Sequence, residues 1–517
     1  MPIRMSGLVS NMDTETIVKE LMSAQTYQVT KVENKKTKLE WKQEKWKALN
    51  SKIFSFYTGA LSKTKLQGNF SAKLAASSNT DKVEVKVDNS APVGSQSIRV
   101  KSLASAQIVT GAKVEGDAIS GKTNFTELGM GAAVGSKIEI KAGNETVNYE
   151  ITSNSTIDEF VATLRNAGLN ASFDTKYQRF FISASDSGYK NAFSIQTSSD
   201  AVDLSKLGLS KIAKSEPDAN GVVSVTAANS NISLIKPSDA SIILNGAELR
   251  SSSNTITVNG MTITVKGVTK GFDTEADTSD DEIITANVTK DTQAVYDLVK
   301  NFVKSYNELL KEMNDAYNAD LAKGYEPLTD KQKEAMSEDQ EKKWEDKIKN
   351  SLLRRDDVVG SVISAMRSSL SQNVTVDGKS YGLVSFGITS PDYAEKGLLH
   401  IDGDTEDTLV SMKEDQLRKA ISDNPDAVME VFTQLTSSLY KTMSDQMKSN
   451  ELKSAYTVYN DKQMKKDIIA YDKQIKEMNK KLTVMETRYY KQFTAMETAM
   501  SKLNSQSSSL TSLLGQK

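Results

Sequence analysis

The sequence predicts a multidomain protein of α and β structure, in which helices from both chain ends frame an inserted β-rich region. Long stretches near both ends lack helix breakers, because no proline occurs between Pro2 and Pro92 or after Pro425. Apolar residues near the C-terminus recur every three or four positions. The middle, from about Phe70 to about Asp291, is rich in Ser, Thr, Asn and Gly and contains short alternating runs.

The C-terminal arm carries the stronger periodicity. Spacings of three and four residues are the a/d pattern of a coiled-coil seam. Steps of three, four and four residues between Leu482 and Phe493 form a stutter, which predicts a locally straighter helix. The seam consists of Ile468, Tyr471, Ile475, Met478, Leu482, Met485, Tyr489, Phe493, Met496, Met500 and Leu503.

The N-terminal arm repeats this pattern less regularly. Asp13 is placed to cap a helix that carries Ile17, Val18, Leu21 and Met22 on one side. Both ends of the chain therefore offer an apolar stripe. We expect the stripes to be buried against each other or against copies from other subunits. The N-terminal stripe continues through Leu39, Trp46, Leu49, Ile53, Phe56 and Ala60.

The middle region is predicted to consist of strands with one embedded helix. The helix is expected from 155 to 166, with Thr156 as N-cap and Glu159 completing a capping box. It lies between two pairs of strands, which predicts a compact α+β module. Helix is expected to resume at Asp291, and the charged stretch 329–349 is expected to be a solvated helical segment. The strands are expected at 83–87, 97–100, 138–141, 180–183 and 263–265.

Composition limits the chemistry that the chain can perform. Among 517 residues there is no cysteine and one histidine, and the net charge is −2. Disulfides and thiolate metal sites are excluded, and a balanced charge gives no long-range attraction to nucleic acid or lipid. We find no run of about 18 apolar residues that would span a membrane, and we expect that the opening residues do not act as a secretory signal peptide.

We expect no catalytic, cofactor-binding or metal-binding residues. The lone His400 lies in a predicted strand beside apolar neighbours, where a structural role is favoured. Two acidic clusters have the alternate spacing of calcium ligands, but both lack the glycine and the glutamate that an EF-hand loop requires. The clusters are Asp273, Glu275 and Asp277, and Asp402, Asp404 and Glu406.

Two binding alternatives are set against simpler interpretations. Lysines 35–47 interleave with Trp41 and Trp46, which is compatible with nucleic-acid binding, but Glu33, Glu40 and Glu44 favour a mixed-charge helix face. The segment 129–131 and nearby Ser- and Thr-rich loops are interpreted as polar turns in preference to a glycan-binding edge.

Several segments together resemble a known family. The opening 6–13, followed by Ile17-Val18 and Leu21-Met22, resembles the start of flagellar filament cap proteins of the flagellar hook-associated protein 2 family. The other segments follow in the family's order over nearly the whole chain. They are 94–107, Phe302-Val303 with Tyr306-Asn307, 351–356, 397–402, 424–432 and 488–497.

The resemblance implies terminal helical legs that resemble a coiled coil, a helical stem domain and two inserted β-rich (α+β) outer domains. We expect the leg region at 1–45 with 450–517 and the stem at 46–75 with 289–449. The inner head domain is expected at 76–108 with 237–288, and the outer head domain at 109–236.

The resemblance also implies a function, which is not enzymatic. Copies of the chain would form a ring-like cap at the filament tip that promotes flagellin incorporation and filament elongation. The protein would be secreted through the flagellar type III export apparatus with an export chaperone. Contacts with junction proteins and adhesion to mucin or host cells are further expectations. The alternative is a hook–filament junction protein or a flagellin-like filament subunit.

We predict that the assembly interface is built from the terminal stripes. Its residues are expected to be Leu8, Met12, Ile17, Val18, Leu21, Ile475, Met478, Leu482, Met485, Tyr489, Phe493, Met496, Met500 and Leu503.

Overall fold

The chain divides into two compact units, one of them inserted in the other. The structure, a computed structural model, describes residues 12–143, 145–271, 282–390 and 395–515. The first unit comprises Met1–Phe70 with Thr292–Lys517, and the second comprises Ser71–Asp291. The first is mainly helical and the second mainly β, so the predicted fold class is confirmed.

Helices supply most of the first unit. The described helices of the chain are α1 (Thr14–Thr58), α2 (Ala60–Thr64), α3 (Ile157–Asn166), α4 (Thr292–Tyr317), α5 (Asp330–Glu334), α6 (Glu338–Ser351), α7 (Asp357–Leu370), α8 (Gln416–Asp423), α9 (Pro425–Gln446) and α10 (Asp461–Leu514). Only α3 belongs to the second unit. The expected cap of the first helix is confirmed, because the Asp13 carboxylate accepts a hydrogen bond from the Thr16 amide at 3.0 Å.

The described residues of the first unit also form two short antiparallel ladders. In the first ladder Thr375 faces Ser380, and in the second Thr389 faces His400. The predicted strand at His400 is therefore confirmed. The strands are β18 (Val374–Val376), β19 (Lys379–Tyr381), β20 (Ile388–Thr389) and β21 (His400–Ile401).

A single hydrophobic cluster, the stem core, lies between the helices of the first unit. The second half of α1 packs on α2 and α4, and α9 closes the other side. The rings of Phe56 and Phe302 lie 5.9 Å apart, and those of Tyr57 and Tyr440 stack at 4.2 Å. Further fully buried members are Leu49, Ile53, Leu61, Val299, Tyr306, Leu310, Met366, Phe432, Leu435 and Leu439.

The second unit consists of antiparallel sheets around two hydrophobic clusters. One cluster draws on residues 83–104 with 240–288, and the other on residues 109–232. The sheet orders are β1-β17-β3-β13-β14, β15-β16-β2, β11-β10-β9-β5-β6 and β12-β4-β8-β7. The strands are β1 (Lys73–Ser77), β2 (Val83–Val87), β3 (Gly94–Ser102), β4 (Ile108–Thr110), β5 (Lys137–Ala142), β6 (Glu145–Glu150), β7 (Leu169–Asp174), β8 (Arg179–Ala184), β9 (Phe193–Thr197), β10 (Ile212–Lys214), β11 (Val225–Ala227), β12 (Ser233–Ile235), β13 (Ala240–Leu244), β14 (Ala247–Ser251), β15 (Thr255–Val258), β16 (Met261–Val265) and β17 (Ile284–Lys290).

The α+β module in this unit confirms a local prediction. The order β5, β6, α3, β7, β8 is the one expected, and α3 begins at Ile157 after the predicted cap. Thr156 accepts from the Glu159 amide, while the Glu159 carboxylate accepts from the Thr156 amide. Two orphan donors at the start of the helix are thereby satisfied. The four-domain boundaries predicted from the resemblance remain a prediction.

Candidate assembly surface

Helices α1 and α10 lie antiparallel and pack on each other. Near the stem core, the ring of Trp46 stacks on that of Tyr459 with centroids 5.3 Å apart. Farther out, Lys36 Nζ pairs with Asp472 Oδ1 at 2.7 Å, and this hydrogen bond raises the pKa of the Lys36 ammonium. Residue numbers therefore fall along α1 as they rise along α10. We call residues 14–45 together with residues 461–514 the terminal pair.

The predicted seam of α10 is only partly covered within one chain. None of its predicted residues is fully buried, although most are shielded on one side. At the far end Leu503 is 63% exposed. A helix pair covers one stripe of each partner, so this seam keeps surface available for a further partner. The half-buried residues are Ile475, Met478, Leu482, Met485, Tyr489, Phe493, Met496 and Met500.

The N-terminal candidates divide between two faces of α1. Val18 is 2% exposed, whereas Ile17 is half-buried, and Leu21 is 46% exposed. Met12 is also exposed, and Leu8 lies outside the described residues. Val18 is thus buried on α1, while Leu21 is left open to solvent. Their shared role in assembly remains a prediction.

Two buried residues of α1 were missing from the predicted interface. Met22 was placed on the apolar stripe but not in the interface, and Val29 was not singled out; both are buried. Val18, Met22 and Val29 follow one another at steps of four and seven residues, which is a helical rhythm. The polar run between Ser23 and Gln28 hides this rhythm in the sequence.

Large apolar side chains remain exposed on the terminal pair. Val484 is 71% exposed, and Ile469, Leu503 and Leu510 are each more than half exposed. Scattered single exposures are ordinary on a soluble protein, but these residues lie along one long helix together with a half-open seam. The terminal pair is therefore the candidate assembly surface.

The lone histidine is enclosed by the protein. His400 is buried, and its Nδ1 lies 2.5 Å from Asp407 Oδ2. Its other ring nitrogen is also buried and has no hydrogen-bond partner. A buried ring offers a substrate no access, which favours the structural role expected for this residue.

The second acidic cluster is paired internally. Asp402 bonds Lys413 at 2.9 Å, and Asp404 bonds Lys300 at 2.8 Å. These carboxylates are thus neutralised by lysines of the same unit. The first cluster, Asp273, Glu275 and Asp277, lies outside the described residues. Across the described part of the chain, no three His, Asp or Glu side chains are grouped to hold a metal ion.

Three of the lysines that alternate with tryptophan, Lys38, Lys42 and Lys45, bind the charged segment 319–356. Lys38 pairs with Glu326 and Lys42 with Asp356, both within 2.8 Å. The ammonium of Lys349 lies over the ring of Trp41, and Trp46 is buried in the stem core. Neither ring is open for base stacking, so the mixed-charge interpretation is the better supported one.

Two further features bear on the binding alternatives. Met130, in the segment 129–131 that was the alternative glycan-binding edge, is 2% exposed and belongs to a hydrophobic cluster of the second unit. Among the described helices, none combines the length and the apolar character needed to cross a membrane.

Known proteins resemble this chain over nearly its whole length. The N-terminal region of flagellar hook-associated protein 2 matches residues 10–107, and its C-terminal region matches residues 237–505. The flagellar hook-associated protein 2 of Halalkalibacterium halodurans is 26% identical, with 98% of this chain and 99% of the relative covered. The B-type protein of Pseudomonas aeruginosa is 25% identical, with 89% and 86% covered.

A solved structure gives the same fold. The crystal structure of the flagellar cap protein of Escherichia coli superposes with a TM-score of 0.52 at 20% identity, covering 78% of this chain and 96% of that one. The matched regions exceed half of the sequence and follow the order of the family. The chain therefore belongs to the flagellar hook-associated protein 2 family.

Proposed function

We propose that this chain caps the growing flagellar filament: several copies assemble at the tip and promote the incorporation of flagellin. The observation that carries the proposal is the terminal pair, whose seam is half-covered within one chain. The stem core needs no second chain, because its residues are enclosed. The seam residues gain further burial only by contact with other copies or with filament subunits.

The physical properties of the pair suit a reversible assembly. A long helix with one apolar stripe is marginal alone in water, so its order depends on the partner that it meets. The helix then loses conformational entropy each time it binds a partner. This loss offsets part of the binding free energy, so the contact is weaker and can be released. Such a surface suits a cap that must shift as each new subunit is added.

The remaining parts of the proposal rest on family membership. The protein is secreted through the flagellar type III apparatus, is accompanied by an export chaperone and acts at the filament tip beyond the junction proteins. It acts without enzymatic chemistry. Adhesion to mucin or host cells would be a property of the second unit.

Truncation tests the role of the terminal pair. Deletion of residues 489–517 removes the outer part of the seam, including Phe493, Met496 and Met500. We expect both units to remain folded by circular dichroism, while tip assembly and filament growth are lost in a strain that expresses only the truncated chain. A full-length chain carrying Leu321→Ser, an exposed position on the loop between α4 and α5, serves as control. Normal filaments grown with the truncated chain would contradict the proposal.

Labelling separates the cap from the alternative. Immunogold against the second unit should mark only the filament tip. Label along the shaft would indicate a filament subunit, and label at the base would indicate a junction protein.

A further inference from the structure

The charge of the terminal pair differs from that of the rest of the chain. Residues 31–45 contain six lysines and three glutamates, and residues 462–481 contain seven lysines and three acidic residues. These two segments of the terminal pair therefore carry seven excess positive charges in a chain of net charge −2. Such an excess on one surface attracts an acidic partner.

Five lysines form one stripe along α1. They are spaced by four, three, four and three residues, so they lie on one helix face. Three of them bind the segment 319–356: Lys38 to Glu326 at 2.7 Å, Lys42 to Asp356 at 2.8 Å and Lys45 to Asn350 at 2.9 Å. The stripe consists of Lys31, Lys35, Lys38, Lys42 and Lys45.

The other two lysines of the stripe remain open. Lys31 and Lys35 are exposed and pair with no carboxylate among the described residues. Across the pair, the Lys36–Asp472 bridge brings two more exposed and unpaired lysines, Lys473 and Lys476, to the same level. We call these four lysines the basic belt.

The segment 319–356, which binds Lys38, Lys42 and Lys45, also has an acidic surface. Residues 329–341 contain five carboxylates and two lysines. Four of the carboxylates are exposed and bind no described cation. We call these four the acidic tip: Asp330, Glu334, Glu338 and Asp339.

The acidic tip is held in place by internal bonds. Lys333 on α5 bonds Glu341 at 2.6 Å and Glu345 at 2.9 Å, both on α6, and these bonds raise its pKa. Capping boxes begin both helices. A preorganised surface loses little entropy on binding, which favours a docking role.

We propose that the acidic tip of one copy docks on the basic belt of the next copy in the cap. The inference rests on the proposed function. Complementary surfaces at two places on one chain give a head-to-tail contact, which closes into a ring when its rotation allows. Lys35 lies three residues, about 4.5 Å of helix rise, from Lys38, which binds Glu326 of the segment that carries the tip.

The contact gains an apolar component beside the tip. Tyr325, Met336 and Trp344 line a groove of about 480 Å³. Trp344 is fixed there by its indole N–H, which donates to the Glu326 carbonyl at 2.8 Å. Lys343 and Lys347 also line this groove, and the Lys347 ammonium already lies 4.8 Å from the centre of the Tyr325 ring. The groove can therefore add apolar burial to the contact, whereas the attraction for lysines comes from the carboxylates of the acidic tip.

The cysteine-free sequence makes this contact directly testable. Two full-length variants, Glu338→Cys and Lys473→Cys, are purified separately, mixed under assembly conditions and oxidised. We expect a disulfide-linked dimer that contains both variants, with a yield several-fold above that of either variant alone. Lys206→Cys, an exposed position in the second unit, replaces Glu338→Cys in the control mixture.

Charge reversal tests the same contact energetically. We expect Lys473→Glu with Lys476→Glu to weaken association at least about tenfold, and Glu338→Lys with Asp339→Lys to do the same. Mixing the two reversed proteins should restore association with each other. At about 1 M salt, where charges are screened beyond about 3 Å, the difference should vanish.

The outcomes distinguish this inference from the proposed cap. Rings that form without the Glu338→Cys to Lys473→Cys disulfide overturn the contact and leave the cap proposal standing. A chain that forms no assembly with itself under any condition overturns both. Cross-linking that equals the Lys206→Cys control also overturns the contact.

Discussion

Helix α1 runs through two different environments, and the contrast between them separates folding from assembly. In its second half Trp46, Leu49, Ile53 and Phe56 are all at most 5% exposed and touch helices on several sides. In its first half buried residues are sparse, and the seam of α10 opposite them is half-buried.

The difference follows from the number of neighbouring helices. Side chains in the stem core are surrounded by α2, α4, α7 and α9, so each gains nearly its full transfer free energy within one chain. Apart from residues 38–45 of α1, which also bind the segment 319–356, each helix of the terminal pair has the other as its main neighbour, and that neighbour covers a single stripe. The stem is therefore expected to govern the stability of the monomer, whereas the terminal pair responds to partners.

The largest expected effect comes from removing an aromatic ring from the stem core. Phe302 is 1% exposed and lies between Phe56 and Tyr306. Phe302→Ala leaves a cavity and should lower the free energy of unfolding of the first unit by about 3–5 kcal/mol. All three tryptophans belong to this unit, so their fluorescence during denaturation by urea measures the change.

A matched change in the terminal pair provides the control. Phe493 is half-buried on α10. Phe493→Ala should change the unfolding of the stem by less than about 1 kcal/mol, because the ring lies outside the stem core. Equal losses of unfolding free energy for Phe302→Ala and Phe493→Ala would contradict the distinction between the stem core and the terminal pair.

Alkaline pH should act on the stem core through a buried tyrosine. Burial raises the pKa of Tyr306, whose unfolded value is about 10. Above pH 10 the unfolded chain releases the Tyr306 proton while the folded chain keeps it. The contribution of this tyrosine to stability is therefore fully present below pH 10 and is lost as the pH rises. The loss from this one group approaches about 1.4 kcal/mol per pH unit once the pH is about one unit above the unfolded pKa.

Replacement by phenylalanine isolates this contribution. Tyr306→Phe should reduce the fall in unfolding free energy between pH 10 and 11 by about 1 kcal/mol, because the unfolded tyrosine is only half ionised at pH 10. The decline does not disappear, because burial also raises the pKa of Tyr57, Tyr296 and Tyr459 in the same unit. An unchanged slope would show that the Tyr306 hydroxyl reaches solvent in the folded chain.

The sequence predicted local elements better than it predicted burial. Periodicity and capping residues are local signals, and both the Asp13 cap and the Thr156–Glu159 capping box were read correctly. Burial depends on which helix lies opposite, and spacing alone does not specify that. Ile17 and Val18 were therefore assigned to one surface although they face different surroundings, and Val29 was missed behind polar neighbours.

The charged segment 319–356 shows the same limit. Helix was predicted for its part 329–349, where α5 and α6 lie, but the docking of the segment on α1 was not predicted. The ion pairs from Lys38 and Lys42 join residues far apart in sequence, and no periodicity within either segment indicates the partner. From the sequence alone, these lysines were also compatible with a surface that binds nucleic acid. Their ion pairs with Glu326 and Asp356 favour the mixed-charge interpretation instead.

The smallest expected effect is that of the ion pair across the terminal pair. Lys36 and Asp472 lie 2.7 Å apart, but their side chains are 27% and 55% exposed, so solvent screens their attraction. A double-mutant cycle with Lys36→Ala and Asp472→Ala should give a coupling of about 0.2–1 kcal/mol. Hydrogen exchange of the amides in α10 is the suitable readout, because it reports local opening of the pair without unfolding of the stem. A coupling energy above about 2 kcal/mol would show that the Lys36–Asp472 ion pair is shielded from water. The terminal pair would then be closed within one chain, and the contrast with the stem core would fail.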